Sequence, residues 1–230
     1  VNYSIIIFCY NESGNIASVV HDTMAFLKNS SSEVIIVNDG STDSTAAICE
    51  ELAVRYPAIK LIHHPVNKGI GSALKSGYLI AAREYVCAIP GDGQFDINEL
   101  KQITPFDNSR YYSFYRKRTN YNLYRRTLTW LNRIFNQHVL GIYLRDVNWV
   151  KVYRNEQLKM VNFELGSSLI ESEICAKLYK CGILPVEIPS RYLHRNTGSA
   201  KGGSWKTLRM AIRDTLKLWY IILSFKATRH

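Results

Sequence analysis

Four short runs of apolar, mostly β-branched residues alternate with helix-patterned segments across residues 3–89: Tyr3–Cys9 (YSIIIFC), Glu33–Asn38 (EVIIVN), Ile59–His63 and Tyr85–Ile89. Ile16, Val19, Val20, Met24 and Leu27 recur at helical spacing between the first two runs. Ala47, Ile48, Leu52 and Val54 are assigned to the apolar side of a second helix, with Asp43 placed to cap it. A third helix is read over Gly71–Arg83. Strands that are apolar on both faces must be covered on both faces, so this order predicts a mostly parallel sheet between two layers of helices. In such sheets ligands bind beyond the carboxyl ends of the strands.

After Pro105 the pattern changes. Tyr111–Tyr115, Val150–Tyr153 and Leu184–Ile188 read as strands. Asn122–Leu140, Ser167–Lys180 and Ser204–Phe225 read as helices. The 230 residues, 47% of them hydrophobic, suit one domain with an appendage and exclude a disordered or collagen-like chain. We divide it into a main unit, 1–203, with an internal division at 107/108, and a tail, 204–230. Five scattered cysteines without metal-type spacing read as reduced, mostly buried thiols.

The formal charge of +10 at first suggests a nucleic-acid partner. It is unevenly placed: residues 1–107 carry −5 and residues 108–230 carry +15. Such asymmetry points to one site between two different surfaces.

The strand ends carry the polar groups. The first run leads into Tyr10-Asn11-Glu12, the second into Asp39-Gly40-Ser41-Thr42-Asp43, and the fourth into Pro90-Gly91-Asp92-Gly93-Gln94. Each alone is equally a turn or a helix cap. Three at one sheet edge suggest a site, and glycines beside Asp39 and Asp92 permit close approach of a ligand.

These segments, with Asn67-Lys68-Gly69, resemble family 2 glycosyltransferases of the GT-A (Rossmann-like) fold. Arg145–Arg154 (RDVNWVKVYR) and Arg195–Lys201 (RNTGSAK) are similar to the dolichol-phosphate mannose synthase branch of polyprenyl-phosphate glycosyltransferases. The resemblance implies a UDP- or GDP-linked sugar donor held by Tyr10, Asn11, Glu12, Asp39, Gly40, Lys68 and Gly69. It implies a divalent metal, Mg2+ or Mn2+, at Asp92 and Gln94, where Asp92 is a hard oxygen donor suited to such a cation on a diphosphate. Against that donor, Asp39 is suited to accept from a nucleobase N–H, and Glu12 to hold ribose hydroxyls or the base. On this reading 1–203 is a catalytic domain, with 1–107 its nucleotide-binding half and 108–203 its acceptor-binding half. The family commonly carries Asp-x-Asp where this chain has Pro90-Gly91-Asp92, which leaves one carboxylate to share the cation with diphosphate oxygens.

A phosphate acceptor is already anionic near neutral pH and needs cations to hold it rather than a general base. The basic half supplies Arg116, Lys117, Arg118, Arg125, Arg126, Arg133, Arg195 and Lys201. By resemblance, Arg116, Arg118, Arg126, Arg195, Ser199 and Lys201 hold the acceptor phosphate, and Asp92, Asp146 and Arg118 form the catalytic set. Asp146 either orients the acceptor or a metal-bound water, or pairs with Arg145. Glu173 resembles a recurrent family acid whose role is to hold a loop arginine or amide.

In the last helix Trp205, Leu208, Ile212, Leu216, Trp219 and Leu223 form a stripe, with Lys206, Arg209, Arg213 and Lys217 largely off it. Such a face fits an anionic membrane surface or the domain core. No run of ~18 apolar residues would span a bilayer. No signal peptide is visible, and the chain does not start with Met. The expectation is an inverting sugar transferase acting on undecaprenyl or dolichyl phosphate, peripheral on the cytoplasmic membrane face or separated from its anchor. Its rivals are transfer to a saccharide hydroxyl and a non-catalytic lipid- or nucleic-acid-binding module.

Overall fold

A computed structural model describes residues 1–117, 130, 133, 134, 136–138, 140–194 and 205–226, with residues 205–212 described by backbone alone. Arg118, Arg125, Arg126, Arg195, Ser199, Lys201 and most of the Asn122–Leu140 segment lie outside the described residues.

One seven-stranded sheet organises the chain. Its strands are β1 (Tyr3–Cys9), β2 (Glu33–Asn38), β3 (Ile59–His63), β4 (Tyr85–Pro90), β5 (Arg110–Arg116), β6 (Lys151–Arg154) and β7 (Leu184–Ser190). They lie in the order β3-β2-β1-β4-β6-β5-β7. All neighbours are parallel except at β6, which runs antiparallel to both β4 and β5. The sheet therefore continues across the 107/108 division.

Alternation along the central strands feeds two cores. Ile5, Ile7, Val34, Ile36, Cys87 and Ile89 face α1 (Ile16–Phe26) and α2 (Thr45–Arg55). Ile6, Ile35, Val37, Val86 and Ala88 face α3 (Ile70–Ile80) and α5 (Ile170–Lys180). The buried side of α2 is Thr45, Cys49 and Leu52 with Ile48 packed beside it; Ala47 and Val54, expected on that side, are exposed.

The third helix stops at Ile80, three residues before the expected end. Ala81 turns extended, the amide of Ala82 donates to Glu33 Oε1 at 2.7 Å, and that of Arg83 donates to Ser4 Oγ at 2.9 Å. These side chains come from β1 and β2, so the stop is tertiary. A short α4 (Asn155–Lys159) adds to it, because Asn155 Nδ2 donates to the carbonyls of Ala81 and Arg83 at 3.0 and 2.8 Å. The amides of Glu164 and Leu165 donate to the two oxygens of Glu173, each at 2.9 Å, the loop-holding role expected for that acid.

Helix α6 (Trp205–Ser224) packs on α5 through Leu218, Ile221 and Ile222. Lys180 of α5 reaches the last carbonyls of α6, those of Ile222 and Phe225. Leu216, Trp219 and Leu223, half of the stripe seen in sequence, point outward with Tyr220, and Leu216 is 65% exposed. At these three positions the stripe and the core-facing side are thus separate. Among the described residues no helix is long and apolar enough to cross a membrane.

Beneath β6 lies a buried polar network. Glu171 accepts from Tyr78 at 2.5 Å and Tyr153 at 2.7 Å, and its Oε2 is 3.3 Å from the buried Lys151 ammonium. Lys151 also donates to the carbonyls of Val147 and Trp149, tying the loop before β6 to the core. Glu171→Leu would strand the ammonium and two phenols, and is expected to cost about 3–5 kcal/mol. Urea unfolding should show a lower midpoint at unchanged slope; a loss below about 1 kcal/mol would contradict this network. Burial, followed by the Glu171 carboxylate for Tyr78, pushes the Tyr78 hydroxyl up; burial, followed by Cys175 and Glu171, does so for Tyr153. A folded pKa raised above 10 stabilises the fold at lower pH and loses that contribution as pH rises past 10. Alkaline urea titrations should show stability falling there, less steeply in Tyr78→Phe.

Candidate active site

Strand register sets the floor of the site. Cys9 lies level with Asn38, and Phe8 with Pro90. Two further bonds continue the ladder: the Asp39 amide donates to Cys9 O and the Gly91 amide to Phe8 O, both at 2.9 Å. Tyr10, Asp39 and Asp92 therefore leave the sheet at one edge. The chain runs one way from β1 through β2 to β3, while β4 lies on the other side of β1. The crevice where the strand order reverses is thus flanked by Tyr10–Glu12 and Asp92.

The turns after β1 and β2 are stapled together. Asn11, at φ +53°, donates its amide to Ser41 Oγ at 2.9 Å and accepts from the Thr42 amide at 2.7 Å. The Glu12 amide donates to Thr45 Oγ1 at 2.9 Å. Asp43 accepts from the Thr45 amide at 3.0 Å and the Ser13 amide at 3.4 Å. Burial pushes the Asp43 carboxyl up, but the Thr45 and Ser13 bonds outweigh it and hold the group below its ordinary value. Glu12 Oε2 accepts from Asn15 Nδ2 at 2.8 Å, which sets the carboxylate beside the start of α1. Ser41, Thr42 and Thr45 had no individual role in the sequence reading; the run of small hydroxyl residues after a strand was the available signal.

Asp39 is buried and holds the chain itself. Its Oδ1 accepts from the Lys68 amide at 3.0 Å, and its Oδ2 from the Gly69 amide at 2.8 Å. His64 Nδ1 lies 2.6 Å from the same Oδ1. Gly40 sits at φ +67°, and a Cβ there would come within 2.4 Å of the Val66 backbone. The close approach that Gly40 permits is therefore to this chain's own loop, rather than to a ligand as expected. His64 was missed in sequence, where its position one residue past the third strand was the only clue.

Asp92 is buried, with Oδ1 accepting from the Gln94 amide at 3.0 Å. Gln94 Nε2 donates to the Tyr192 hydroxyl at 2.6 Å, so its side-chain carbonyl is the oxygen it has to offer a cation. Among the described residues no group of three His, Cys, Asp or Glu could enclose a metal. The donor set, one carboxylate and one amide oxygen, fits a hard cation that brings diphosphate oxygens and water with it.

Across the crevice, Arg116 ends β5. Its Nε and Nη2 bond the two oxygens of Asp146 at 2.6 and 3.0 Å, and its guanidinium lies 4.7 Å from the Trp149 ring centre and 5.5 Å from that of Tyr192. Asp146 thus pairs with Arg116 and not with its neighbour Arg145. Arg145 lies over the Tyr115 ring and 3.7 Å from Glu187 instead. Adjacency in sequence misled here, because the turn before β6 sends the two side chains apart. Trp149 and Tyr192, as the walls of the arginine, were also missed. Of the cations expected beyond Lys117, Arg118, Arg125, Arg126, Arg195 and Lys201 lie outside the described residues, and Arg133 is exposed.

Comparison with known proteins agrees with this frame. The model of Glycosyl transferase family 2 matches residues 4–165. A dolichyl-phosphate beta-glucosyltransferase of Trichomonas vaginalis is 36% identical over 101 residues, 41% of this chain and 30% of that protein. The Saccharomyces cerevisiae protein of that name is 32% identical over 108 residues, 44% of this chain and 32% of its own length. The chain thus spans about a third of these relatives. An undecaprenyl-phosphate mannosyltransferase of Micrococcus luteus is 21% identical over 183 residues, 74% of this chain and 75% of that one. Among solved structures, glucosyl-3-phosphoglycerate synthase from Mycobacterium tuberculosis with Mn2+, UDP-glucose and phosphoglyceric acid superposes with a TM-score of 0.68. It is 18% identical and covers 95% of this chain and 80% of that one. That likeness establishes the GT-A fold expected from the sequence. With the family model matched from β1 to the loop before α5, and its motifs gathered at one sheet edge, this chain belongs to glycosyl transferase family 2.

Proposed function

We propose that this chain moves a hexose-type sugar, with inversion, from a UDP-linked donor to a phosphate-bearing acceptor, with a divalent cation, Mg2+ or Mn2+. The observation that carries this reading is the sheet edge itself: Glu12, Asp39 and Asp92 follow three aligned strand ends, and Arg116 ends β5 at that same edge. Tyr10, Asn11, Glu12, Asp39, Lys68 and Gly69 form the donor side, with Gly40 letting the Val66–Asn67 backbone close against it. Asp92 and the Gln94 carbonyl would hold the cation. When bound, that cation neutralises charge on the departing diphosphate.

The acceptor side is a fixed guanidinium. Asp146 and the Trp149 ring set its plane, and a guanidinium is the group suited to a phosphate. Each oxygen of Asp146 accepts from Arg116, which suits Asp146 to orienting that guanidinium rather than to taking a proton, and this favours an anionic acceptor. A polyprenyl phosphate is the acceptor class we favour, supported by the similarity to dolichyl-phosphate and undecaprenyl-phosphate sugar transferases. A second reading, transfer to a hydroxyl of a small phosphorylated molecule or a saccharide, has its own support. The synthase structures extend over 95–98% of this chain, whereas the dolichyl-phosphate relatives align with less than half of it.

Labelled UDP-sugars incubated with dolichyl or undecaprenyl phosphate, or with phosphoglycerate, separate the two readings by where label appears. Asp92→Asn is expected to lower transfer at least about 100-fold in a folded protein. Unchanged transfer in that variant, or no transfer to any acceptor, would refute the mechanism.

We assign the outward stripe of α6 to the surface of an anionic membrane on the cytoplasmic side. Leu216, Trp219, Tyr220 and Leu223 are exposed there, beside exposed Arg213 and Lys217. Cosedimentation with phosphatidylglycerol vesicles should fall severalfold in Leu216→Ser/Trp219→Ser, with the thermal midpoint kept. Equal binding by the variant would remove the helix from this role.

A further inference from the structure

His64 is a buried histidine that neither the motifs nor the proposed chemistry uses. Its amide donates to Asn38 O at 2.9 Å, so it continues the β3 ladder by one residue and enters the site edge beside Asp39. Its ring spans two elements. Nδ1 lies 2.6 Å from Asp39 Oδ1, and Nε2 lies 2.9 Å from Ser76 Oγ on α3. The side chains of His64 and Asp39 are only 7% and 5% exposed.

The contact decides how many hydrogen bonds Asp39 has left. An ionised carboxylate only accepts, through about four lone-pair positions, two on each oxygen. Nδ1 must therefore carry the proton in this pair, while the Ser76 hydroxyl can donate to or accept from Nε2. Among the described residues, His64 and the Lys68 amide fill both positions on Oδ1, and the Gly69 amide fills one on Oδ2. One acceptor position remains.

Nucleobases differ at this count. Uracil presents a single imide N–H between two carbonyls. Guanine presents N1–H and an amino group side by side, and satisfying both calls for two acceptors on one carboxylate. A guanine bound at Asp39 would leave a donor unpaired in a poorly hydrated place, which is costly.

We propose that His64 is a positioning residue that selects the base: by filling Oδ1 it leaves Asp39 one acceptor, which matches the single imide N–H of a uracil nucleotide and rejects guanine. This rests on the reading of the crevice as a nucleotide-sugar site. The role acts through Asp39, so it belongs to donor affinity and not to the transfer step.

Asparagine and glutamine separate this role from mere packing. His64→Asn places an amide N–H near the Nδ1 position, and His64→Gln places it near the Nε2 position, toward Ser76. Titration calorimetry of the full chain with UDP and with GDP gives the readout, and circular dichroism confirms folding of each variant. The wild type is expected to favour UDP. His64→Gln and His64→Ala should bind UDP roughly tenfold more weakly and shrink the UDP-to-GDP preference by a similar factor, and His64→Asn should keep most of both. In transfer assays the loss should appear in donor KM, with kcat nearly unchanged. Folded Asn and Gln variants with the same preference would overturn the proposal while the donor reading stands. A wild type that binds neither nucleotide would overturn both.

Discussion

Parallel pairing of β1 with β2 and β4 is the constraint on which the rest of the structure depends. A parallel ladder sends every strand out of the sheet at the same edge, and the bonds from Asp39 to Cys9 and from Gly91 to Phe8 hold three turns level. Reversal of strand order beside β1 then opens a crevice between two of those turns. Carboxylates far apart in the chain become neighbours with no direct attraction between them.

The two sides of the crevice are built by different means. On the acidic side, backbone amides donate to side chains across turns, as with Asn11 and Thr42 or Asp39 and Gly69. On the basic side, aromatic rings and one carboxylate orient a guanidinium. The second arrangement leans on the core, because Lys151 holds the carbonyls of Val147 and Trp149 while paired with buried Glu171. Stability and site geometry are thus coupled through one buried ammonium.

The division of charge along the chain also takes a spatial meaning. The acidic half carries Glu12, Asp39 and Asp92 at one sheet edge, and the basic half joins the same sheet through β6, the one antiparallel strand among the described residues. Helix α6 uses one side to pack on α5 and leaves another apolar side to solvent. That accounts for a stripe with tryptophan that is not needed by the core.

By itself the sequence determined the parallel frame, the strand positions to within a residue or two, and the edge at which polar turns collect. Continuous apolar runs and turn residues are local signals, and they suffice for those features. The partner of Asp146, the end of α3 and the orientation of the α6 stripe were decided only by the tertiary structure. In each, the deciding atoms come from segments distant in sequence: Arg116 for Asp146, Glu33 and Ser4 for the amides after α3, and α5 for α6. His64 is the sharpest instance. Nothing in its own neighbourhood of sequence sets it apart, and its meaning arises because β2, β3 and α3 converge on one carboxylate.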